Sequence, residues 1–263
     1  MNKSGWVSVA QTDVGTVRKA NEDSYFESSH SEIWCVADGM GGHARGDVAS
    51  YMITQHLSQL ISESKNKVLV ENIVSCIEVV NRKLVALSKQ KQSIVGSTVA
   101  ILLFEHNKAH CIWAGDSRIY RIREGKIARI TRDHSQVEEM IDAGLIKSEE
   151  ADSHPESNII TRAVGASSHL DLEVRTYDLE LADKFMLCSD GLNNVFSDQE
   201  LENILRTTSL NLITEHFINE AIVRKARDNV TVLVVENVNT GDFDKESHKT
   251  LAQDMTLPFN HFL

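Results

Sequence analysis

The sequence lacks the features of a membrane-bound, secreted or nucleic-acid-binding protein. No apolar run approaches the roughly 18 residues that a transmembrane helix needs, and residues 1–5 lead into a strand pattern rather than a signal peptide. Lysine and arginine form no dense run, and the formal net charge is −11, which argues against nucleic acid or an anionic membrane as the main partner. We therefore expect a cytoplasmic protein that binds neither nucleic acid nor membrane.

Cysteine is scarce, and its spacing has no regular pattern. The chain has four cysteines among 263 residues, none of them in a CxxC pair, and each lies in an apolar strand or helix pattern. Such positions are typical of buried, reduced thiols rather than of a disulfide framework or a zinc knuckle. The four residues are Cys35, Cys76, Cys111 and Cys188.

The composition supplies enough apolar sequence for one sizeable core. Hydrophobic residues make up 41% of the chain and charged residues 25%. A chain of this length and composition can fold around a single core and needs no second domain. We expect one globular domain and a monomer.

Aspartates that follow apolar runs are the most informative feature of the chain. An apolar run over 33–37 leads into Asp38 and a glycine, and a second run over 185–188 precedes Asp190 and a glycine. A strand of this kind delivers a carboxylate at its exit, and the glycine lets the backbone turn sharply. Carboxylates that converge from distant parts of the chain repel each other unless a hard dication neutralises them. The pattern predicts a divalent metal site, although an aspartate before a glycine is also an ordinary turn former.

Strand and helix periodicities alternate in blocks along the chain. Long strand runs interrupted by paired helices indicate a layered α+β architecture with antiparallel sheets inside. The predicted strands are 7–11, 24–27, 33–37, 98–104, 109–113, 119–123, 126–130, 172–179, 185–187 and 230–236. The predicted helices are 46–62, 68–88, 198–206 and 210–227.

Two stretches fall outside this predicted core. Residues 136–157 start as a short amphipathic helix and then become too polar for a core position. From residue 237 onward the periodicity is lost and Asp, Lys, Ser and Thr are mixed, which is typical of a disordered or loosely docked tail.

Eight short motifs along the chain indicate a family resemblance. Each motif alone is a weak signal, whereas eight in the right order are a strong one. The motifs are 18–23 (RKANED), 36–42 (VADGMGG), 95–98 (VGST), 114–118 (AGDSR), 131–135 (TRDHS), 158–165 (NIITRAVG), 188–191 (CSDG) and 228–231 (DNVT). From residue 5 to residue 236 the chain resembles the metal-dependent serine/threonine protein phosphatases of type 2C, the PPM family, in their bacterial form.

The resemblance implies a fold and a domain organisation. The implied fold is a four-layer α-β-β-α sandwich, in which two antiparallel sheets pack face to face with a helix pair on each outer side. The metal site then lies at one end of the sandwich. The implied phosphatase domain spans 1–237, with a mobile flap at about 136–160 beside the active site, and a polar tail follows over 238–263.

The resemblance also implies a role for each residue of the metal site. Asp38 would bridge two metal ions, and Gly39 would contribute its carbonyl oxygen. Asp190 and Asp228 would hold the first ion, and Glu22 would orient waters on the second. Because all these ligands are oxygens, the expected ions are Mn²⁺ or Mg²⁺ rather than Zn²⁺.

Three further residues have implied roles near this site. Asp116 resembles the residue that, with Asp190, binds a weaker third metal ion; alternatively it caps a turn with Ser117. Arg18 stands where the family places its phosphate clamp, and a guanidinium suits a bidentate grip on two phosphoryl oxygens. Its alternative is an ordinary surface arginine. Asp23 is expected to serve the structure by hydrogen bonding near the site.

The implied activity is hydrolysis of phosphoserine and phosphothreonine in phosphorylated proteins, in opposition to a bacterial serine/threonine kinase. In this reaction a metal-bridging hydroxide attacks phosphorus, so that no protein nucleophile is required. The general acid is unassigned, because Met40 stands where many eukaryotic members carry a histidine. His43 and a metal-bound water are the two candidates.

Two other functions remain open at this point. One is a catalytically inactive regulatory member that binds a phosphoprotein without turnover. The other is a phosphatase with a narrow target, such as a phosphorylated anti-sigma antagonist or a secretion-system component. If the protein is an active phosphatase, with a general or a narrow target, the acidic run over 149–152 predicts a preference for basic residues around the phosphosite.

Overall fold

Eleven strands and six helices make up the computed structural model over the residues that it describes, 4–41, 45–151 and 154–239. The strands are β1 (Ser4–Asp13), β2 (Asp23–Ser28), β3 (Ile33–Gly41), β4 (Val95–Ser97), β5 (Val99–Glu105), β6 (Lys108–Ala114), β7 (Arg118–Arg123), β8 (Lys126–Arg129), β9 (Glu173–Asp178), β10 (Lys184–Cys188) and β11 (Val230–Asn239). The helices are α1 (Gly46–Glu63), α2 (Val70–Lys91), α3 (Gln136–Asp142), α4 (Asp190–Asn193), α5 (Asp198–Thr207) and α6 (Leu210–Val223).

Two antiparallel sheets form the two inner layers. One sheet has the strand order β1-β11-β10-β7-β8, and the other has the order β2-β3-β5-β6-β9, with β4 paired to β3. Helices α1 and α2 cover the second sheet, and α4, α5 and α6 cover the first. The predicted four-layer α-β-β-α sandwich is therefore confirmed.

Strand β3 explains how apolar runs fit between these layers. Its residues Ile33, Cys35 and Ala37 face the helices, whereas Trp34 and Val36 face the other sheet, and all five are fully buried. A strand covered on both faces reads as a continuous apolar run rather than an alternating one. Strand β10 follows the same rule, which is why the sequence shows apolar runs before both Asp38 and Asp190.

The strand register brings the acidic motifs to one end of the sandwich. Asp23 at the start of β2 lies opposite Asp38 in β3. In the other sheet, β1 ends where β11 begins, and the last residue of β10 lies opposite the third residue of β11. The segments that carry Arg18, Asp190 and Asp228 therefore all leave the sheets at the same end.

The structure corrects the expectation that the chain turns sharply after Asp38. Strand β3 continues to Gly41, and its last three residues pair with β4, a short strand that periodicity did not predict. Gly39 is required for a different reason: a Cβ atom there would lie 2.0 Å from the carbonyl oxygen of Gly46. The glycine after Asp38 permits close packing against the start of α1.

Several element boundaries also differ from the prediction. Helix α6 ends at Val223 rather than at residue 227, and α4 was not predicted. Strand β11 runs to Asn239, two residues beyond the predicted domain boundary, while the remainder of the predicted tail lies outside the described residues. Cys35, Cys111 and Cys188 are buried free thiols, as expected, whereas Cys76 is a free thiol that is only half-buried. Across the described ranges, no helix has the length and apolarity needed to span a bilayer.

Candidate active site

Three aspartates from different parts of the chain converge at the end of the sandwich where the acidic motifs lie. Asp38 lies near the end of β3, Asp116 follows β6, and Asp190 begins α4. The backbone of Asp38 is fixed by the start of β5, because its N–H donates to the Thr98 hydroxyl at 3.0 Å and its carbonyl accepts from the Thr98 N–H at 2.8 Å. The sheets therefore hold these carboxylates near one another.

The electrostatics of the cluster show how closely the carboxylates interact. Burial raises the pKa of Asp38 well above its usual range, and the charges of Asp23, Asp190, Asp116 and Asp228 raise it further. Burial, followed by the charge on Asp190, likewise raises the pKa of Asp116 well above its usual range. The pKa of Asp190 is raised to about 6 by burial and by Asp228, and a hydrogen bond with Asp38 partly offsets this. The cluster carries more negative charge than its surroundings neutralise.

Unsatisfied oxygens lie within this cluster and directly behind it. Of the residues that the structure describes, Asp23, Asp116 and Asp190 each have one buried carboxylate oxygen, Oδ1, without a hydrogen-bond partner. Leaving a buried carboxylate oxygen unpaired is unfavourable unless a cation approaches it. Within the same described ranges, no three acidic, histidine or cysteine side chains are arranged so that they could together hold a metal ion. The carboxylate oxygens therefore lie close to one another but do not surround a common position for an ion.

Asp23 has the structural role that the sequence analysis assigned to it. Its Oδ2 atom accepts hydrogen bonds from Ser189 Oγ at 2.7 Å and from Thr231 Oγ1 at 2.6 Å. Burial raises the pKa of Asp23 to about 7, although both hydroxyl donors act in the opposite direction. Asp23 therefore ties β2 to the ends of β10 and β11, directly behind the cluster.

Arg18 lies beside the cluster and forms an ion pair with Asp228. The distance from its Nη2 to Asp228 Oδ2 is 2.6 Å, and 52% of the Arg18 side chain is exposed. The hydrogen bond with Asp228 is the main reason that the pKa of Arg18 is raised. The Arg18 guanidinium therefore pairs with the Asp228 carboxylate and remains accessible to solvent.

Glu22 and Gly39 lie together against the start of α1. Glu22 Oε1 accepts the N–H of Gly46 at 3.0 Å, where the helix N-terminus favours a negative charge. The carbonyl of Glu22 accepts from the Gly39 N–H at 3.0 Å and from Ser50 Oγ at 2.6 Å. The structure therefore places both residues at the edge of the aspartate cluster.

Sequence reasoning gave no role to two groups that the structure brings to the site. Asn229 is buried and bonds to the chain around Arg18. Arg118 donates to both carboxylate oxygens of Asp133, at 2.7 to 3.1 Å, close behind Asp116. All these residues belong to the eight motifs, but their partners lie 15 or more residues away, so no local signal identifies the contacts.

Two predictions remain, the candidates for the general acid and the turn formed by Asp116 with Ser117. Met40 is half-buried in β3 and pairs with Gly96 of β4. His43, one of the two candidates for the general acid, lies outside the described residues. Ser117, the predicted turn partner of Asp116, instead pairs its hydroxyl with that of Thr98 at 2.7 Å.

Comparison with known proteins agrees with this architecture. The family model "Protein phosphatase 2C" matches residues 16–225. The serine/threonine phosphatase Stp of Listeria welshimeri is 34% identical over 86% of this chain and 94% of its own length.

Solved structures of bacterial relatives superpose on most of the chain. PppA, a key regulatory component of T6SS in Pseudomonas aeruginosa, has a TM-score of 0.80 at 36% identity, covering 90% of this chain and 100% of its own. The catalytic domain of PstP in complex with two manganese ions has a TM-score of 0.80 at 30% identity, again over 90% and 100%. The chain described here belongs to the protein phosphatase 2C family.

Proposed function

We propose that this protein is a metal-dependent phosphatase that hydrolyses phosphoserine and phosphothreonine in proteins. The observation that carries the proposal is the convergence of Asp38, Asp116 and Asp190 beside Arg18, with unpaired buried oxygens on two of the three aspartates within the described residues. Buried carboxylates that a bound cation would compensate, next to an accessible guanidinium, suit the binding of a phosphoryl group. Family membership and the names of the relatives support the same activity.

The donor atoms fit a hard divalent cation. The proposed ligands are the carboxylates of Asp38, Asp190 and Asp228 and the carbonyl of Gly39, with Glu22 orienting waters, and all of them are oxygens, which Mn²⁺ and Mg²⁺ prefer. We propose two ions, and a weaker third at Asp116, whose unpaired Oδ1 supports it. The manganese complex of PstP supports the pair. When bound, the ions lower the pKa of water for attack on phosphorus and compensate charge on the phosphoryl oxygens.

Arg18 is proposed to bind the phosphoryl group. Its guanidinium now donates to Asp228, yet about half of the side chain is exposed, so it can exchange the carboxylate for two phosphoryl oxygens without rearrangement of the core. A planar guanidinium binds two such oxygens at once. Arg18 thereby orients the phosphorus atom over the aspartate cluster.

The proposed substrates are phosphorylated proteins, targets of a serine/threonine kinase in the same cytoplasm. An inactive regulatory member of the family is the alternative, and the intact set of Arg18, Asp38, Asp190 and Asp228 argues against it, because a decayed site normally loses a ligand. Selection among phosphorylated proteins is proposed to depend on surfaces outside the metal site, because the phosphoryl group is common to all of them.

Residues 136–160 are proposed to act as a substrate-selecting flap. Helix α3 is tied to the chain that precedes it, because Arg132 donates to Glu138 at 3.0 Å and to Asp142 at 2.6 Å. Beyond α3, Glu149 and Glu150 are exposed in a short 3₁₀ turn. An acidic surface there favours substrates with basic residues around the phosphosite.

Charge removal from the flap tests this role. We expect Glu149→Gln combined with Glu150→Gln to lower kcat/KM for basic phosphopeptides relative to acidic ones, about two- to fivefold at low salt. Hydrolysis of p-nitrophenyl phosphate should stay unchanged, and Glu78→Gln, on an exposed part of α2, is the control. An equal response of both peptides and of the small substrate would refute the selection role.

Metal-dependent turnover tests the proposed activity itself. We expect hydrolysis of p-nitrophenyl phosphate and of phosphothreonine peptides with Mn²⁺, and its loss with excess EDTA. Asp38→Asn should lower kcat by orders of magnitude, whereas Asp178→Asn, an exposed change at the opposite end of the sheet, should not. Full activity in EDTA would refute the mechanism, and no turnover with any metal would favour the inactive alternative.

A further inference from the structure

Asn229 is a buried amide whose polar side-chain atoms are all engaged by one loop. Only 5% of the residue is exposed. Its Oδ1 accepts the N–H of Glu22 at 2.8 Å, and its Nδ2 donates to the carbonyls of Val14 at 2.9 Å and Ala20 at 3.0 Å. An amide offers two donors and an acceptor, and the partners here match that set and fix its orientation.

The three residues that bond to Asn229 belong to the loop that carries Arg18 and include both of its ends. This loop, 14–22, connects β1 to β2, and Asn229 contacts its first residue, its last residue and Ala20. Two other bonds tie its first half to the segment that follows α6, because the Thr16 N–H and hydroxyl both donate to the Ala226 carbonyl, at 2.9 and 2.8 Å. Between Thr16 and Ala20, Arg18 contacts the protein through Asp228.

Asn229 follows Asp228 directly in the chain. The same short piece of backbone therefore carries the carboxylate that pairs with Arg18 and the amide that closes the Arg18 loop. The Arg18–Asp228 ion pair and the Glu22–Asn229 hydrogen bond thus join the Arg18 loop to this piece of backbone, although some 200 residues separate the two in sequence. Rigid placement of a binding group reduces the entropy lost when substrate binds.

We propose that Asn229 is a positioning residue that sets the Arg18 loop, and with it the phosphoryl-binding guanidinium, relative to the aspartate cluster. This inference rests on the proposed phosphatase function. Asn229 does not touch the substrate; it acts by holding Val14, Ala20 and Glu22. Without the amide, one N–H and two carbonyls lose their partners, and the loop between them becomes free to open.

Hydrogen exchange on the metal-free protein tests the structural half of this proposal. In Asn229→Leu, which has a similar volume and no polar atom, we expect about tenfold faster exchange at the amides of Gly15 and Thr16. Neither of these amides bonds to Asn229, so their acceleration reports opening of the whole loop. The control is Asn81→Leu: Asn81 is a second buried asparagine, which holds Gly165 and Ser167 instead.

A double-mutant cycle tests the functional half. Asn229→Leu should lower kcat/KM about tenfold to a hundredfold in the wild-type background. In the Arg18→Ala background it should cost less than about threefold, because the group that it positions is already gone. Asn81→Leu should cost the same factor in both backgrounds. If the leucine variant does not fold, Asn229→Asp keeps the shape and the acceptor toward Glu22 and should show the same exchange pattern.

Two results would overturn the positioning role. One is a folded Asn229→Leu protein whose Gly15 and Thr16 amides exchange at the wild-type rate. The other is an equal loss of kcat/KM in both Arg18 backgrounds, which is the behaviour of a residue that acts on the fold or on Glu22 rather than through Arg18. The exchange measurement needs neither metal nor turnover. A wild-type protein without phosphatase activity would therefore refute the proposed function while leaving exchange to decide the role of Asn229.

Discussion

Replacing Asp190 by asparagine should stabilise the metal-free protein while removing a proposed metal ligand. The pKa of this carboxyl is raised from 3.8 to about 6 in the folded state, mainly by burial and then by Asp228. Its charged form is therefore less favourable in the folded chain than in the unfolded one. Asparagine keeps the shape and carries no charge, so the penalty disappears.

The sign and the pH window follow from linkage. Below about pH 4 the carboxyl is protonated in both states and contributes nothing. Between about pH 4 and pH 6 the folded state holds more protons than the unfolded state, so the free energy of unfolding falls as the pH rises. Above pH 6 the whole penalty is present. The stabilisation by Asp190→Asn should therefore be absent at pH 4 and complete at pH 8.

The magnitude follows from the size of the shift. The difference between 3.8 and about 6 corresponds to about 3 kcal/mol as an upper bound. Asp190 is half-buried, and solvent screening reduces the gain to about 1–2 kcal/mol. For a domain of this size, that gain raises the unfolding temperature by roughly 3–6 °C.

Thermal unfolding in EDTA at pH 4 and pH 8 is the assay. Asp178→Asn is the matched control, because Asp178 is exposed and pairs with Lys108 at 2.8 Å, so its loss should bring no gain at pH 8. With Mn²⁺ at pH 8 the order should reverse, because only the wild-type protein keeps the ligand. An unchanged unfolding temperature for Asp190→Asn at pH 8, or the same gain at both pH values, would refute the reasoning.

Three other substitutions test separate contacts. Gly39→Ala should lower the free energy of unfolding in urea by at least about 2 kcal/mol, because its Cβ would meet the Gly46 carbonyl at 2.0 Å; an unchanged midpoint would contradict this packing. Thr231→Val removes the 2.6 Å donor to Asp23 and should cost about 1–3 kcal/mol in the same titration at pH 8. It should cost less at pH 5, below the Asp23 pKa of about 7, and an equal cost would count against a charged acceptor. Arg18→Ala should mainly raise KM for p-nitrophenyl phosphate, whereas an unchanged kcat/KM would make Arg18 an ordinary surface arginine.

The sequence predicted the layers of the fold because burial on both faces leaves a direct trace. The continuous apolar run over Ile33 to Ala37 is such a trace, and so is the 3.6-residue period of α1 and α2. Strand β4 and helix α4 left none, since three or four residues are too few to show a period. Their structure depends on tertiary partners, β3 for the first and β10 and β11 for the second.

The sequence also predicted which residues come together, but not how they contact one another. The motif order anticipated the convergence of Asp38, Asp116 and Asp190, which the structure brings together. It did not predict the Arg18 ion pair with Asp228, nor the bonds of Asn229 to the Arg18 loop. Those contacts join residues some 200 positions apart, and local pattern has no access to such pairs.

The glycines after the two aspartates show the same limit. Sequence reasoning assigned them to sharp turns, whereas the structure uses both for close backbone approach. A Cβ on Gly39 or on Gly191 would lie 2.0 Å from the carbonyl oxygen of Gly46 or of Asn229, respectively. The need for glycine at these positions was recognised, but the cause is the backbone of another segment, which the local sequence does not show.

Direct titration of the protein with Mn²⁺ is the measurement closest to the central claim that the aspartate cluster is a metal site. Isothermal titration calorimetry of wild-type protein, Asp38→Asn and Asp178→Asn, at pH 8 and without substrate, separates metal binding from turnover. We expect at least two Mn²⁺ ions to bind wild-type protein and Asp178→Asn alike, and Asp38→Asn to lose most of this binding because a ligand shared by both ions has lost its charge. Wild-type stoichiometry and affinity in Asp38→Asn would contradict the account.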